Sequence, residues 1–162
     1  MKRIYLAGGC FWGMEKFFSM TKGVLSTRVG YANGNLDNPS YKDLKEGRDT
    51  SAETVEIEYD ESILPLTSIL ELFLRVVDPY AVNKQGEDEG LQYRSGVYYE
   101  DETDKQIVLD YFKKALRPDY KIEVKQLATF YKAEEYPQDY LNKNPTGYCH
   151  INMAKLKPEE RK

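Results

Sequence analysis

The 162-residue chain has two cysteines and one histidine, and each scarcity argues against a class of protein. Cys10 and Cys149 are too few to staple a small secreted scaffold, and such a sparse pair in a reducing compartment is more often catalytic or inert. Because His150 is the one histidine, a metal site would have to consist mostly of carboxylates. We therefore expect no metal centre.

Charge and hydropathy argue against two kinds of partner. The chain has 23 Lys and Arg against 27 Asp and Glu, a formal net charge of −4, which does not favour binding to nucleic acid or anionic membranes. No apolar run is long enough to cross a bilayer. The apolar run after Arg3, of about four residues, is too short for a secretory signal. We predict a cytoplasmic monomer without nucleic-acid or membrane partners.

Length and composition predict one domain. A chain of this size can bury a single sizeable core, and no shift in composition divides it. Its hydrophobic fraction of 41% and charged fraction of 31% are typical of globular proteins. We predict a single catalytic domain over residues 1–150, with a charged C-terminal tail over residues 151–162 that belongs to the same domain.

Hydrophobic periodicity predicts the order of strands and helices. Strands are predicted at 2–7, 24–31, 54–59, 95–99 and from 122 to about 128, and helices at 11–22, 65–77 and 103–117. The stretch 79–94 has no regular pattern, and loops this long are usually functional or disordered. This order favours an α+β fold with helices packed on a mixed or antiparallel sheet, and we predict a ferredoxin-like plait with long ordered loops.

Cys10 follows a short strand and two glycines and precedes a predicted helix. At a helix N-terminus, unpaired backbone N–H groups and the dipole favour an anion, so a thiol there becomes a thiolate more readily. Phe11 and Trp12 would place an apolar wall beside that sulfur. A buried, inert cysteine next to two core aromatics would show the same local pattern, so the segment alone leaves both interpretations open.

Glu53 directly precedes the clean alternation of apolar and polar residues over 54–59, and it stands at the start of that strand if the strand extends back by one residue. The period of two puts it on the same face as Val55, where desolvation would raise its pKa and let it donate a proton at neutral pH. If the strand begins one residue later, Glu53 is instead a solvated loop residue. Tyr41, Asp88 and Tyr93 come from loops beside strand ends, and hydroxyls and neutral carboxyls of this kind can hold a polar oxygen atom.

A series of linked motifs covers nearly the whole chain except its last dozen residues. They are Gly9-Cys10-Phe11-Trp12-Gly13, Gly30-Tyr31, Asn38-Pro39-Ser40-Tyr41, Ala52-Glu53, residues 55–60, Asp78-Pro79, Gln85-Gly86-Glu87-Asp88-Glu89-Gly90, Gln92-Tyr93-Arg94-Ser95, Phe130-Tyr131-Lys132-Ala133-Glu134 and Asn144-Pro145-Thr146-Gly147-Tyr148-Cys149. In these motifs and in their order, the chain resembles the peptide methionine sulfoxide reductase A family.

The resemblance implies a reductase for the S epimer of methionine sulfoxide, free or in proteins, that works without a metal or organic cofactor. By this resemblance Cys10 attacks the sulfoxide sulfur and becomes a sulfenic acid, while Glu53 protonates the sulfoxide oxygen. Cys149 then attacks Cys10, and a thioredoxin-type reductant reopens the resulting disulfide.

The same resemblance assigns the substrate-binding residues. Phe11 and Trp12 form a pocket for the methyl group, Tyr41 and Tyr93 help to bind the oxygen, and Asp88 belongs to the same polar site. The chain departs from the family at three positions where histidine is common, namely Ser51, Val77 and Pro137.

Two other functions would use these residues differently. A cysteine hydrolase or transferase would take Cys10 as nucleophile and His150 as base, and would leave Tyr41, Tyr93 and Cys149 without a role. A non-enzymatic module could bind methionine-bearing or aromatic peptides through a surface rich in tyrosine, since the chain has 14 of them.

Overall fold

A computed structural model of the protein describes residues 1–9, 11–86, 88–134 and 151–162. The strands in these ranges are β1 (Lys2–Ala7), β2 (Val24–Ala32), β3 (Ala52–Tyr59), β4 (Lys84–Gln85), β5 (Asp88–Glu89), β6 (Gly96–Tyr99), β7 (Glu123–Gln126) and β8 (Phe130–Lys132). The α-helices are α1 (Phe11–Ser19), α2 (Tyr41–Lys45), α3 (Leu66–Val76) and α4 (Glu102–Ala115). None of the helices in the described ranges is long and apolar enough to span a membrane.

Six of the strands form one mixed sheet in the order β7-β6-β1-β3-β2-β8. Neighbours pair antiparallel except β6 and β7, which run parallel. β4 and β5 form a separate small hairpin. The prediction of an α+β fold with helices on a mixed sheet is therefore confirmed.

Strand β3 lies between β1 and β2, and both of its faces are buried. On one face, Val55 packs in the main core with residues of α1 and α3, such as Phe17 and Phe73. On the other face, Glu56 is 2% exposed and pairs with Arg28, with 2.7 Å between Oε2 and Nη2. A fully buried carboxyl on this strand therefore needs a partner or must be neutral, because burial disfavours an isolated charge.

Two helix starts differ from the sequence pattern. The polar loop that carries the Asn38-Pro39-Ser40-Tyr41 motif contains α2, whose capping box was not predicted: the Ser40 hydroxyl accepts from the Asp43 N–H at 3.2 Å, and the Asp43 carboxylate accepts from the Ser40 N–H at 2.9 Å. Helix α4 is capped by Asp101, whose carboxylate accepts from the Thr103 N–H at 2.9 Å. Thr103, where the sequence predicts the helix to begin, is thus inside the first turn.

In the stretch 79–94, which shows no sequence period, local hydrogen bonds hold the described residues around strands β4 and β5. The Gln85 side chain accepts from the Asp78 N–H at 2.8 Å and donates to the Asp78 carbonyl at 2.9 Å. A short 3-10 turn follows at Leu91–Tyr93. Asp88 and Tyr93 are therefore carried by a shaped loop, as expected for a functional one.

Residues 151–162 pack against the rest of the domain. Ile151 and Leu156 are buried, with 6% and 1% exposure. The Arg75 guanidinium on α3 binds the Glu160 carboxylate with 2.7 Å between Nη1 and Oε1. Both apolar and ionic contacts thus hold this charged segment.

Leu156→Ala is expected to lower the free energy of unfolding by about 2 to 4 kcal/mol, because a buried leucine would leave a cavity in the core. Leu25→Ala is the matched control, since Leu25 on β2 is 53% exposed, and its cost should stay within about 0.5 kcal/mol. Urea unfolding monitored by circular dichroism measures both. Equal small losses would show that residues 151–162 add nothing to the core.

Candidate functional site

Glu53 is the central carboxyl of the site. Strand β3 begins at Ala52, so Glu53 lies within the strand, on the face of Val55, and is 1% exposed, as the alternation predicts. Its Oε1 accepts from the backbone N–H of Phe11 at 3.4 Å, and its Oε2 accepts from Gln92 Nε2 at 2.7 Å. Glu53 therefore lies where β3, the start of α1 and the turn Leu91–Tyr93 meet.

Burial raises the pKa of Glu53 to about 8. The hydrogen bonds from Gln92 and Phe11 favour the charged form and lower the pKa, whereas the nearby Asp88 carboxylate raises it. Burial has the largest effect, so the carboxyl is mostly protonated at pH 7. A carboxyl that keeps its proton at neutral pH is what a general acid needs, and that Glu53 acts as one stays a prediction.

Tyr31 and Glu134 connect the site to α2. Tyr31 stands opposite Glu53 in the β2–β3 register, and its ring centroid is 5.9 Å from that of Phe11. Its hydroxyl donates to Glu134 Oε2 at 2.9 Å, while Glu134 Oε1 accepts from the backbone N–H of Tyr41 at 3.0 Å. One carboxylate thus joins β2 to the first residue of α2.

Tyr93 is the last of the polar residues that surround Glu53. Its side chain hydrogen-bonds with that of Tyr41, and it interacts electrostatically with Glu53 and Asp88. Burial, helped by these two acids, raises the pKa of Tyr93, so its hydroxyl keeps its proton. The structure therefore brings together the four polar residues that the sequence singles out.

Phe11 and Trp12 form the first two residues of α1. Phe11 is 2% exposed and packs in the main core, and Trp12 is partly buried against the same core. The hydroxyl and carboxyl groups therefore lie beside an apolar surface. Such an arrangement can protonate or hydrogen-bond an oxygen atom that is attached to an apolar group.

Several predicted residues lie outside the described part of the chain. They are Cys10, Cys149, His150 and Pro137. Helix α1 begins at Phe11, the next residue after Cys10 in the sequence. Among the described positions where relatives commonly have histidine, Ser51 and Val77 are both buried. Within the described residues, no group of three or more His, Cys, Asp or Glu side chains is arranged to hold a metal ion.

Three residues of this cluster had no predicted role, namely Tyr31, Gln92 and Glu134. Tyr31 stands in the Gly30-Tyr31 motif, but its place opposite Glu53 follows only from the pairing of β2 with β3. Gln92 and Glu134 stand in motifs of the family that the chain resembles, but nothing local to a glutamine or glutamate indicates its partner. Their roles follow from contacts across the chain.

Comparisons with known proteins agree over almost the whole chain. The family model described as "Peptide methionine sulfoxide reductase" matches residues 2–162. A protein of Lachnoclostridium phytofermentans named "Peptide methionine sulfoxide reductase MsrA" is 57% identical over 156 residues, which cover 94% of each chain. A Clostridium perfringens protein of the same name is 50% identical over 157 residues, which cover 94% of this chain and 99% of that one.

The fold is similar to that of Mxr1 from Saccharomyces cerevisiae. The reduced form of Mxr1 superposes with a TM-score of 0.87 and 32% identity, covering 93% of this chain and 91% of Mxr1. Mxr1 has also been solved in complex with Trx2, and that form superposes with a TM-score of 0.60 and 24% identity over 86% of this chain and 84% of Mxr1.

Proposed function

This chain belongs to the peptide methionine sulfoxide reductase family and catalyses the thiol-dependent reduction of methionine S-sulfoxide, and we propose that Cys10, Glu53 and Cys149 carry out the reaction. The observation that carries this assignment is the carboxyl of Glu53, which is buried at the start of α1 with its pKa raised to about 8. A sulfoxide oxygen leaves poorly unless it is protonated, so the reaction needs a neutral acid beside the nucleophile.

In the first step the Cys10 thiolate attacks the sulfoxide sulfur while Glu53 gives its proton to the sulfoxide oxygen. The sulfur–oxygen bond of the substrate breaks, the oxygen is transferred to Cys10 as a sulfenic acid, and methionine leaves. The substrate sulfur is reduced by two electrons and Cys10 is oxidised by two. No external oxidant or reductant enters this step.

The surrounding side chains would hold the sulfoxide during the attack. Tyr41 and Tyr93 would hydrogen-bond its oxygen, and the raised pKa of Tyr93 keeps that hydroxyl a donor. Asp88 would act through its charge, which raises the pKa of Glu53. Phe11 and Trp12, which begin α1, would contact the methyl group.

The second step would regenerate the enzyme. The Cys149 thiol attacks the sulfenic acid of Cys10, releases water and forms a Cys10–Cys149 disulfide. A thioredoxin-type dithiol then reduces it. The relative Mxr1, solved with Trx2, supports a partner of this class. A cytoplasmic location, a monomeric state and the lack of nucleic-acid or membrane partners stay predictions from composition.

We also propose a finer description of the fold. Strands β6-β1-β3-β2 pair antiparallel in that order, α1 connects β1 to β2, and α3 lies between β3 and β6 along the chain. This order supports a ferredoxin-like plait extended by β7 and β8. The packing of Ile151 and Leu156 supports one catalytic domain over residues 1–150 to which residues 151–162 belong.

The test of the function uses the reduced chain, without any added reductant, and one sulfoxide epimer at a time. The S epimer should release about one methionine per chain, consume both thiols and lower the intact mass by two hydrogens. The R epimer should change nothing. Free-thiol titration, amino-acid analysis and intact mass spectrometry measure these quantities.

Cys149→Ser separates the two steps in the same assay. This variant should still release about one methionine and retain a sulfenic acid that dimedone traps, but its turnover with thioredoxin should stall. Unchanged turnover would remove Cys149 as the resolving thiol. If neither epimer changes the wild-type chain, the reductase proposal fails, and an acyl-enzyme on Cys10 with His150 as base becomes the function to test.

A further inference from the structure

Gln92 and Phe11 both donate hydrogen bonds to Glu53, and the bond from Gln92 is the shorter of the two. Gln92 Nε2 donates to Oε2 at 2.7 Å, whereas the Phe11 N–H donates to Oε1 at 3.4 Å. A protonated carboxyl has one carbonyl oxygen, which accepts strongly, and one hydroxyl oxygen, which donates. Because the strong donor lies at Oε2, the proton is favoured on Oε1.

We propose that Gln92 is a positioning residue that keeps the acidic proton of Glu53 on Oε1, the oxygen that faces the first residue of α1. This inference rests on the proposed function, in which the nucleophile Cys10 precedes Phe11 in the chain. A proton on Oε2 would point toward the Gln92 amide and away from the helix start. Gln92 therefore acts on the reaction through Glu53 and need not touch the substrate.

Arg94 holds the turn that carries Gln92. Its Nη1 donates to the carbonyl of Leu91 at 3.0 Å and to the carbonyl of Thr50 at 2.9 Å. Its side chain is 11% exposed, so both bonds are shielded from water. One guanidinium thus binds both the turn Leu91–Tyr93, which carries Gln92, and the segment before β3, which carries Glu53. These two bonds hold Gln92 and Glu53 at a fixed separation.

The charges around Glu53 make a substitution of Gln92 informative. Within the described residues, the titratable groups that interact with Glu53 include Asp88 on β5, Tyr31 on β2 and Tyr93 on the turn. Burial raises the pKa of both tyrosines, so their hydroxyls keep their protons near neutral pH, while the nearby Asp88 raises the pKa of Glu53. Gln92 has no charge, and its replacement therefore changes hydrogen bonding alone.

The test compares Gln92→Met with the wild-type protein in single-turnover release of methionine between pH 6 and 10. Methionine has a similar volume but no amide, so the rate at pH 7 should fall about tenfold. The pKa of Glu53 should rise, because a bond that favours the charged form is lost, and the alkaline limb should move up by about one pH unit. The wild-type protein should therefore release methionine about tenfold faster than Gln92→Met at pH 7, and this advantage should shrink as pH rises.

Two further variants complete the comparison. Gln92→Asn retains the amide on a shorter side chain and should give an intermediate rate and an intermediate alkaline limb. Gln106→Met is the matched control, because Gln106 donates to the Asp110 carboxylate at 2.8 Å on the exposed side of α4. This control should leave both the rate and the pH profile unchanged.

A spectroscopic measurement separates failure of this inference from failure of the proposed function. Carbon-13 NMR of labelled glutamate carboxyls in the reduced protein gives the titration of Glu53 directly, with Glu53→Gln used to assign its signal. A higher midpoint in Gln92→Met supports the inference. The inference would be overturned if Gln92→Met lowered the single-turnover rate by the same factor at every pH and left the titration midpoint of Glu53 unchanged. Absence of turnover in the wild-type protein would overturn the function, while the carboxyl titration still reports on Gln92.

Discussion

Cys10→Ser is expected to abolish methionine release, with a loss of more than about a thousandfold in the single-turnover rate. A thiol becomes the thiolate nucleophile near neutral pH, particularly at a helix start, whereas a serine hydroxyl does not ionise there. Serine also has no sulfur to take up the sulfoxide oxygen as a sulfenic acid. Amino-acid analysis after mixing with the S epimer measures the loss, and circular dichroism tests whether the fold is kept.

The same substitution at the other cysteine is the control for Cys10→Ser. Cys149→Ser removes a thiol of the same kind but should leave the first release of about one methionine intact, because Cys149 acts only after the sulfenic acid has formed. Retained release in Cys10→Ser would mean that another group attacks the sulfoxide. Loss of release in both variants would mean that the two cysteines cannot be assigned to separate steps.

Local sequence patterns predict the elements whose residues follow one period. Strand β1 runs from Lys2 to Ala7, as predicted, and α3 lies within the predicted range 65–77. Their apolar side chains face one packed core, so periodicity and burial coincide. Helix α2 is different, because its five residues bury only Leu44 and give no periodic signal.

Strand pairing depends on contacts that no local pattern contains. Strand β8 pairs with β2, although about a hundred residues separate Tyr31 from its partner Tyr131. Strand β7 runs parallel to β6, which makes the sheet mixed where the sequence left both a mixed and an antiparallel sheet open. Such pairings depend on the tertiary packing of the whole chain, which decides which sheet edges are free to pair.

The site shows the same division. Glu53 could be predicted as a buried acid, because strand parity puts it among apolar residues of β3. Its partner Gln92 lies 39 positions away in an irregular stretch, where the sequence has no period to relate the two. Motifs therefore indicate which residues belong to the site, and tertiary contacts decide which oxygen of Glu53 each donor meets.

Glu53 and Glu56 show how partners decide the state of buried acids. Both lie in β3 and are almost fully buried, with 1% and 2% exposure. Burial alone would raise the pKa of Glu56, but hydrogen bonds from Arg28 and Tyr5 bring it below its ordinary value. For Glu53, burial has the largest effect, the hydrogen bonds come from the neutral donors Gln92 and Phe11, and Asp88 raises the pKa further, so the pKa stays raised. One strand thus holds a charged structural acid and a neutral acid with a proton to donate.

Glu53→Gln is expected to slow methionine release by about a hundredfold to ten-thousandfold, because the amide fills the same space but cannot donate an acidic proton. In the wild-type protein the rate should decline above about pH 8, where Glu53 loses its proton. The variant should lack that decline. Single-turnover release across pH 6 to 10 measures both features, and normal release by Glu53→Gln would place the acid elsewhere.

The same substitution should stabilise the fold at alkaline pH. Glu53 ionises near pH 4.5 in the unfolded chain but near pH 8 when folded, so the folded state binds more protons between these values. The free energy of unfolding of the wild-type protein therefore falls as pH rises through this window, by up to about 1.4 kcal/mol per pH unit from this group. Glu53→Gln removes that loss, so its stability relative to wild type should be greater at pH 8 than at pH 5.

Glu56→Gln, the matched control, should be less stable than wild type at both pH 7 and pH 8, because the lowered pKa of Glu56 shows that its charge stabilises the fold. Urea denaturation measures these free energies. If the difference in free energy of unfolding between wild type and Glu53→Gln is the same at every pH, Glu53 has no raised pKa and is charged in the folded enzyme. The general-acid role of Glu53 would then be wrong.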